Sequence, residues 1–132
     1  MGGEPYRYVV PWQDDVQGAL EALRRDVFAR GDYHGAAKRP RTIQEALARS
    51  GDTGTRSILD IERVSTVPDY QCAAPLSSGE MRRYFGGRTP TVKMVEECED
   101  LWQDLERGMA RYVTVAEGAG PKQLMFIGYS FD

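Results

Sequence analysis

A chain of 132 residues, 41% hydrophobic and 28% charged, can bury one core without disulfide or metal staples and is too apolar for wholesale disorder. Its net charge of −3 offers no general attraction to nucleic acid or anionic lipid. No apolar run approaches a membrane span, and the opening MGGEPYRY lacks the apolar core of a signal peptide, so neither a membrane nor a nucleic-acid partner is expected.

Residues 6–10 (YRYVV) read as a first strand stopped by Pro11, with Trp12 as an apolar anchor beyond it. Asp14 or Asp15 then caps a helix whose stripe is Val16, Ala19, Leu20, Leu23 and Val27, ended by Gly31. The polar segment 32–41, broken by Pro40, reads as a mobile loop. Thr42 and Glu45 have the spacing of a capping box and open a short helix that ends at Gly51.

Residues 54–65 (GTRSILDIERVS) carry the β-branched and aliphatic content of a central strand. Strand alternation places Leu59 and Ile61 toward the core and Asp60 and Glu62 on the opposite, accessible face. The proline-containing stretch 65–78 then reads as a surface excursion. Ser77 and Glu80 repeat the capping-box spacing before a helix closed by Gly86-Gly87.

Thr89-Pro90 opens the longest predicted helix. Its apolar side is Val95, Cys98, Leu101, Trp102, Leu105 and Met109, while Glu96, Glu97, Asp100 and Asp104 lie opposite. Residues 110–117 and 123–131, joined by a glycine-containing turn, form a C-terminal β-hairpin. The expected architecture is therefore a single α+β domain over residues 1–132, ordered β-α-α-β-α-α-β-β. Its four mostly antiparallel strands would carry helices on one face and leave the other partly open.

Few residues point to chemistry. Cys72 and Cys98 form no metal-binding pattern with His34, the single histidine, so no metal and no cofactor is implied, and reduced thiols suit a cytoplasmic protein. His34 is not spaced from a nucleophile and an acid as a catalytic triad requires, and no GxSxG elbow occurs, so no catalytic residue is assigned. The turn GDTGT at residues 51–55 lacks the lysine of a phosphate-binding loop, and KRPR at 38–41 reads as a solvated loop.

Acid is the stronger signal. Residues 57–132 hold twelve Asp/Glu against eight Lys/Arg, and so carry the whole acidic excess. On the longest predicted helix Glu96, Asp100 and Asp104 are spaced i, i+4, i+8 and repel one another, as a face kept for a basic partner would. The leading expectation is a small protein that binds another protein with a basic surface, through Asp60, Glu62, Glu96, Asp100 and Asp104. A neutralising partner of the immunity or antitoxin type would have this form. The alternative is a small enzyme or ligand-binding domain whose pocket adjoins the Asp60/Glu62 strand face, with Arg56, Asp60, Glu62 and Arg63 converging on it.

Overall fold

The computed structural model describes residues 3–131. Strand β1 (Pro5–Pro11) leads to helix α1 (Val16–Arg30) and helix α2 (Ile43–Ser50); strands β2 (Arg63–Val64) and β3 (Cys72–Pro75) follow. Three short helices come next, α3 (Ser78–Phe85), α4 (Val92–Glu96) and α5 (Glu99–Asp104), and the chain closes on strands β4 (Ala110–Val115) and β5 (Gln123–Tyr129). The strands make one mixed sheet in the order β1-β5-β4-β3-β2. β5 runs antiparallel to β1 and to β4, whereas β3 runs parallel to both β4 and β2.

The fold is α+β on a single sheet, but with five strands of mixed direction rather than four mostly antiparallel ones. The helices also cover both faces. Leu20, Leu23 and Val27 of α1 pack with Leu59, Ile61, Leu124 and Phe126 on one side. Phe85, Val95 and Leu101 pack with Val113, Val115, Met125 and Ile127 on the other. The continuous run LMFI in β5 states this in sequence, because a strand covered on both faces has no polar side to alternate with.

The first strand, the C-terminal hairpin and three helix starts match the sequence reading. Asp15 Oδ1 accepts the Gly18 N–H at 3.0 Å, Thr42 Oγ1 accepts from Glu45 at 3.1 Å, and Ser77 and Glu80 form a reciprocal capping box. α1 ends on Gly31 in the left-handed region.

The central strand does not form. Residues 58–60 make a 3-10 turn capped by Ser57, whose Oγ accepts the Leu59 N–H at 3.2 Å, and only Arg63 and Val64 pair, at the sheet edge. Ser, Thr and Asp side chains here offer the backbone local hydrogen bonds in place of a ladder. The interior strand is instead β3, inside the stretch expected to be a surface excursion. Its Cys72, Ala73 and Ala74 are buried, and its proline stands at the strand end, where a missing N–H is tolerated.

The long last helix is broken at Glu97 and Cys98, whose ψ of 1° and 87° leave the helical region, and it starts at Thr91 rather than Thr89. The break moves Glu99 and Asp100 from a self-repelling helix interior into the first turn of α5, where the helix dipole favours negative charge. Trp102 Nε1–H donates to the Val95 carbonyl at 3.0 Å, satisfying one of the acceptors freed at the end of α4.

Candidate functional site

Asp60 and Glu62 share no accessible face. Asp60 is 2% exposed, and its Oδ1 accepts from the backbone N–H and the hydroxyl of Thr55, both at 2.8 Å. Burial outweighs those bonds and raises its pKa. The turn around it is tight: at Gly54 (φ +70°) an added Cβ would lie 2.5 Å from Phe131 and 2.7 Å from Asp60 Oδ2. Asp60 therefore organises the 55–60 loop and is out of a partner's reach.

Glu62 is exposed at the start of the β2 edge, near Arg24 of α1. Arg63 contacts Cys72 Sγ at 2.8 Å and lies 3.7 Å from Asp69, while Arg56 lies 3.7 Å from Glu4. Five clefts of about 200–470 Å³ among the described residues are lined by neither Asp60 nor Glu62. Asp60, bonded to Thr55 inside its own loop, shares no accessible face with Glu62 and Arg63, which are exposed.

The acids of α4 and α5 lie in the layer on the other side of the sheet. Residues 96–106 hold six carboxylates and no Lys or Arg, and all six are exposed. Three of them are the expected ridge, but the helix break removes its regular spacing. Glu96 pairs with Arg7 of β1 at 2.6 Å. Asp104 lies 3.3 Å from Arg83 and accepts from the Tyr84 hydroxyl, and burial together with Asp104 pushes the Tyr84 pKa up to about 12. Glu97, Glu99, Asp100 and Glu106 carry no ion pair among the described residues.

This surface is indented. A cleft of about 330 Å³ opens between α3, α5 and the start of β4, walled by Pro68, Leu105 and Met109 and rimmed by Glu80, Asp104 and Glu106. Arg111, 9% exposed, forms part of its floor and is bound by Glu80 and by the carbonyls of Ala74 and Pro75. Sequence reasoning found Glu80 as a cap but missed its second role. An arginine at an otherwise apolar position of a strand, ARYVTV, was the available signal.

A second cleft, of about 460 Å³, lies in the α1/α2 layer between α2 and the 3-10 turn Ala36–Lys38. His34, Lys38 and Arg49 line it with Ala37, Pro40 and Ala46. The loop expected to be mobile is pinned here: the His34 N–H donates to Thr55 O at 2.8 Å and Arg49 Nη1 donates to Lys38 O at 3.2 Å. No described helix is long and apolar enough to cross a membrane. Comparisons with protein-family models, curated proteins and solved structures find no match to this chain.

Proposed function

We propose that the protein acts by binding another protein, of basic surface, through the exposed acids of α4 and α5. The observation that carries this reading is the cleft rimmed by Glu80, Asp104 and Glu106, its one cation Arg111 already bound by Glu80, beside the segment 96–106 whose six carboxylates are interrupted by no Lys or Arg. Apolar walls under an acidic rim suit a lysine or arginine of the partner, whose methylene stem packs while its charged head stays at the carboxylates. The carboxylates left unpaired by the fold would speed encounter and select for positive charge.

Glu96, Asp100 and Asp104 belong to this surface, and Asp60 does not. Glu62 sits in the opposite layer and contributes at most to a separate contact. Occlusion of a basic site, as by an immunity or antitoxin protein, is the form such binding would take in a small acidic protein; that comparison rests on size and charge alone.

The test compares wild type with a variant carrying Glu97→Gln, Glu99→Gln, Asp100→Asn and Glu106→Gln, four positions with no ion pair to disturb. Each would be immobilised and exposed to extract of the source cell at low salt, and the retained proteins identified. The reading expects a basic protein that wild type holds, that about 0.5 M salt elutes, and that the variant loses. Equal retention of every protein by both forms would reject it.

A further inference from the structure

Residues 33–50 hold four Lys/Arg against the single Glu45, a local net charge of +3 in a chain of −3. Two of the four, Lys38 and Arg49, line the cleft of about 460 Å³ between α2 and the 36–38 turn, a volume within the range of small-ligand sites. We infer that this cleft binds a small organic phosphate, with the phosphate held at Lys38 and His34 and the apolar body against Ala37, Pro40 and Ala46.

Lys38 supplies the deciding charge, since it makes no ion pair among the described residues. Arg49 acts differently. Its guanidinium lies 2.6 Å from Glu45 and donates to the Lys38 carbonyl, so it fixes the turn against α2 and builds the wall before any ligand arrives. Arg39, beside Lys38, is held at φ 52°, a left-handed conformation that costs an ordinary residue free energy and that gathers at functional loops. Lys38 and Pro40 of the KRPR segment line the cleft, while Arg39 and Arg41 lie beside these two in the chain and add positive charge near it.

The carboxyl-terminal end of α2 would repel an anion if its carbonyls faced it bare. They do not. Ser50 Oγ donates to Leu47 O at 2.7 Å and Thr53 Oγ1 to Ser50 O at 2.9 Å. Both a phosphate charge and an apolar body are needed for full occupancy, because the walls are alanine and proline while the rim is cationic.

The experiment titrates the full chain by calorimetry at pH 7 and low salt with AMP, inorganic phosphate, adenosine and an oligonucleotide of about ten residues. AMP should saturate one site, inorganic phosphate should compete for it more weakly, and adenosine should not bind. Lys38→Glu should weaken AMP at least tenfold, whereas Arg25→Gln, on the exposed side of α1, should leave it within twofold. Circular dichroism should show both variants folded. Absence of saturation by AMP at 10 mM, or equal AMP affinity in Lys38→Glu, overturns the inference. So does an oligonucleotide that binds more than tenfold tighter than AMP, since that identifies an extended polyanion surface rather than an enclosed site.

Discussion

Arg111 of β4 and Glu80 of α3 are joined by two charge-assisted hydrogen bonds, the longer at 3.0 Å, across the junction of the sheet and the helical layer. The same Glu80 closes the capping box of α3 by accepting from the Ser77 N–H at 2.8 Å. One carboxylate thus ends a helix, neutralises a buried guanidinium and fixes α3 against the sheet. Arg111 chiefly, against the opposing effect of partial burial, holds the Glu80 pKa below the usual carboxylate value.

Glu80→Gln should therefore destabilise the fold at pH 7 by about 2–3 kcal/mol, below the full cost of breaking a buried pair because Glu80 is partly exposed. A group with a depressed folded pKa contributes stability that is present above its unfolded pKa and lost as pH falls through the folded one. Urea midpoints of the two proteins should thus differ at pH 7 and converge toward pH 3. A gap that persists undiminished in acid would mean that the Glu80 charge is not what stabilises this junction.

Much of this arrangement was legible one level down. Asp15, Thr42 and Ser77 cap helices where their spacing says they should, because capping is decided by a few neighbouring residues. The errors came where distant contacts outweighed local pattern. ILDI looks like an alternating strand, yet Ile58, Leu59, Asp60 and Ile61 are all buried, with Thr55 donating twice to one oxygen of the Asp60 carboxylate inside the fold. CAAP looks like a loop, yet small side chains and a terminal proline suit a short strand between β2 and β4. The acidic surface was visible as composition, but its cleft depends on α3 and β4 meeting, which no local spacing encodes.

Asp60 should respond to pH in the opposite sense to Glu80. Its folded pKa is raised by burial, so the folded state holds the proton more tightly than the unfolded chain. Its contribution is fully present below the unfolded pKa and is lost as pH rises from there through the folded value. Asp60→Asn keeps an acceptor for the two Thr55 donors without the charge. The variant should gain on wild type between pH 3 and pH 7, read from urea midpoints at several values. A difference independent of pH would show that the carboxyl ionises as freely inside as outside.

Cys72 is buried in β3 and Cys98 is half-buried before α5, and neither is bonded to the other. Protein purified without reductant and then unfolded should titrate as two thiols. In the native state an aromatic disulfide reagent should reach Cys98 first, because Cys72 becomes accessible only when the sheet opens. Prompt labelling of both, in folded protein, would contradict the burial of β3.

Trp102 packs edge-on against Tyr129 at 5.7 Å and holds the α4 terminus through Val95, but it is only partly buried. Trp102→Ala should cost about 3 kcal/mol, the low end for a large aromatic. Trp102→Phe separates the two roles, retaining the ring contact and leaving the Val95 carbonyl with the longer bond from the Cys98 N–H at 3.3 Å, at about 1 kcal/mol or less. Chemical denaturation measures both. Equal losses would mean that ring packing contributes nothing beyond the hydrogen bond.

The break between α4 and α5 reverses what neutralising the acidic ridge should do to stability. On one continuous helix Glu96, Asp100 and Asp104 would repel, and removing their charges would stabilise. In the folded chain Glu96 pairs with Arg7, Asp104 contacts Arg83 and Tyr84, and Asp100 sits in the first turn of α5. The dipole favours Asp100, and the contacts of Glu96 and Asp104 oppose the unfavourable helix C-termini on which they stand, so Glu96→Gln with Asp100→Asn and Asp104→Asn should lower stability by about 1 kcal/mol in sum at low salt. Salt screens exposed pairs, so the loss should shrink as ionic strength rises toward 1 M. The same variant should bind a basic partner less tightly, yet the stability measurement requires no partner. A triple variant more stable than wild type in dilute buffer would restore the continuous helix and its repulsion, and would remove the structural basis for the cleft beside Glu106.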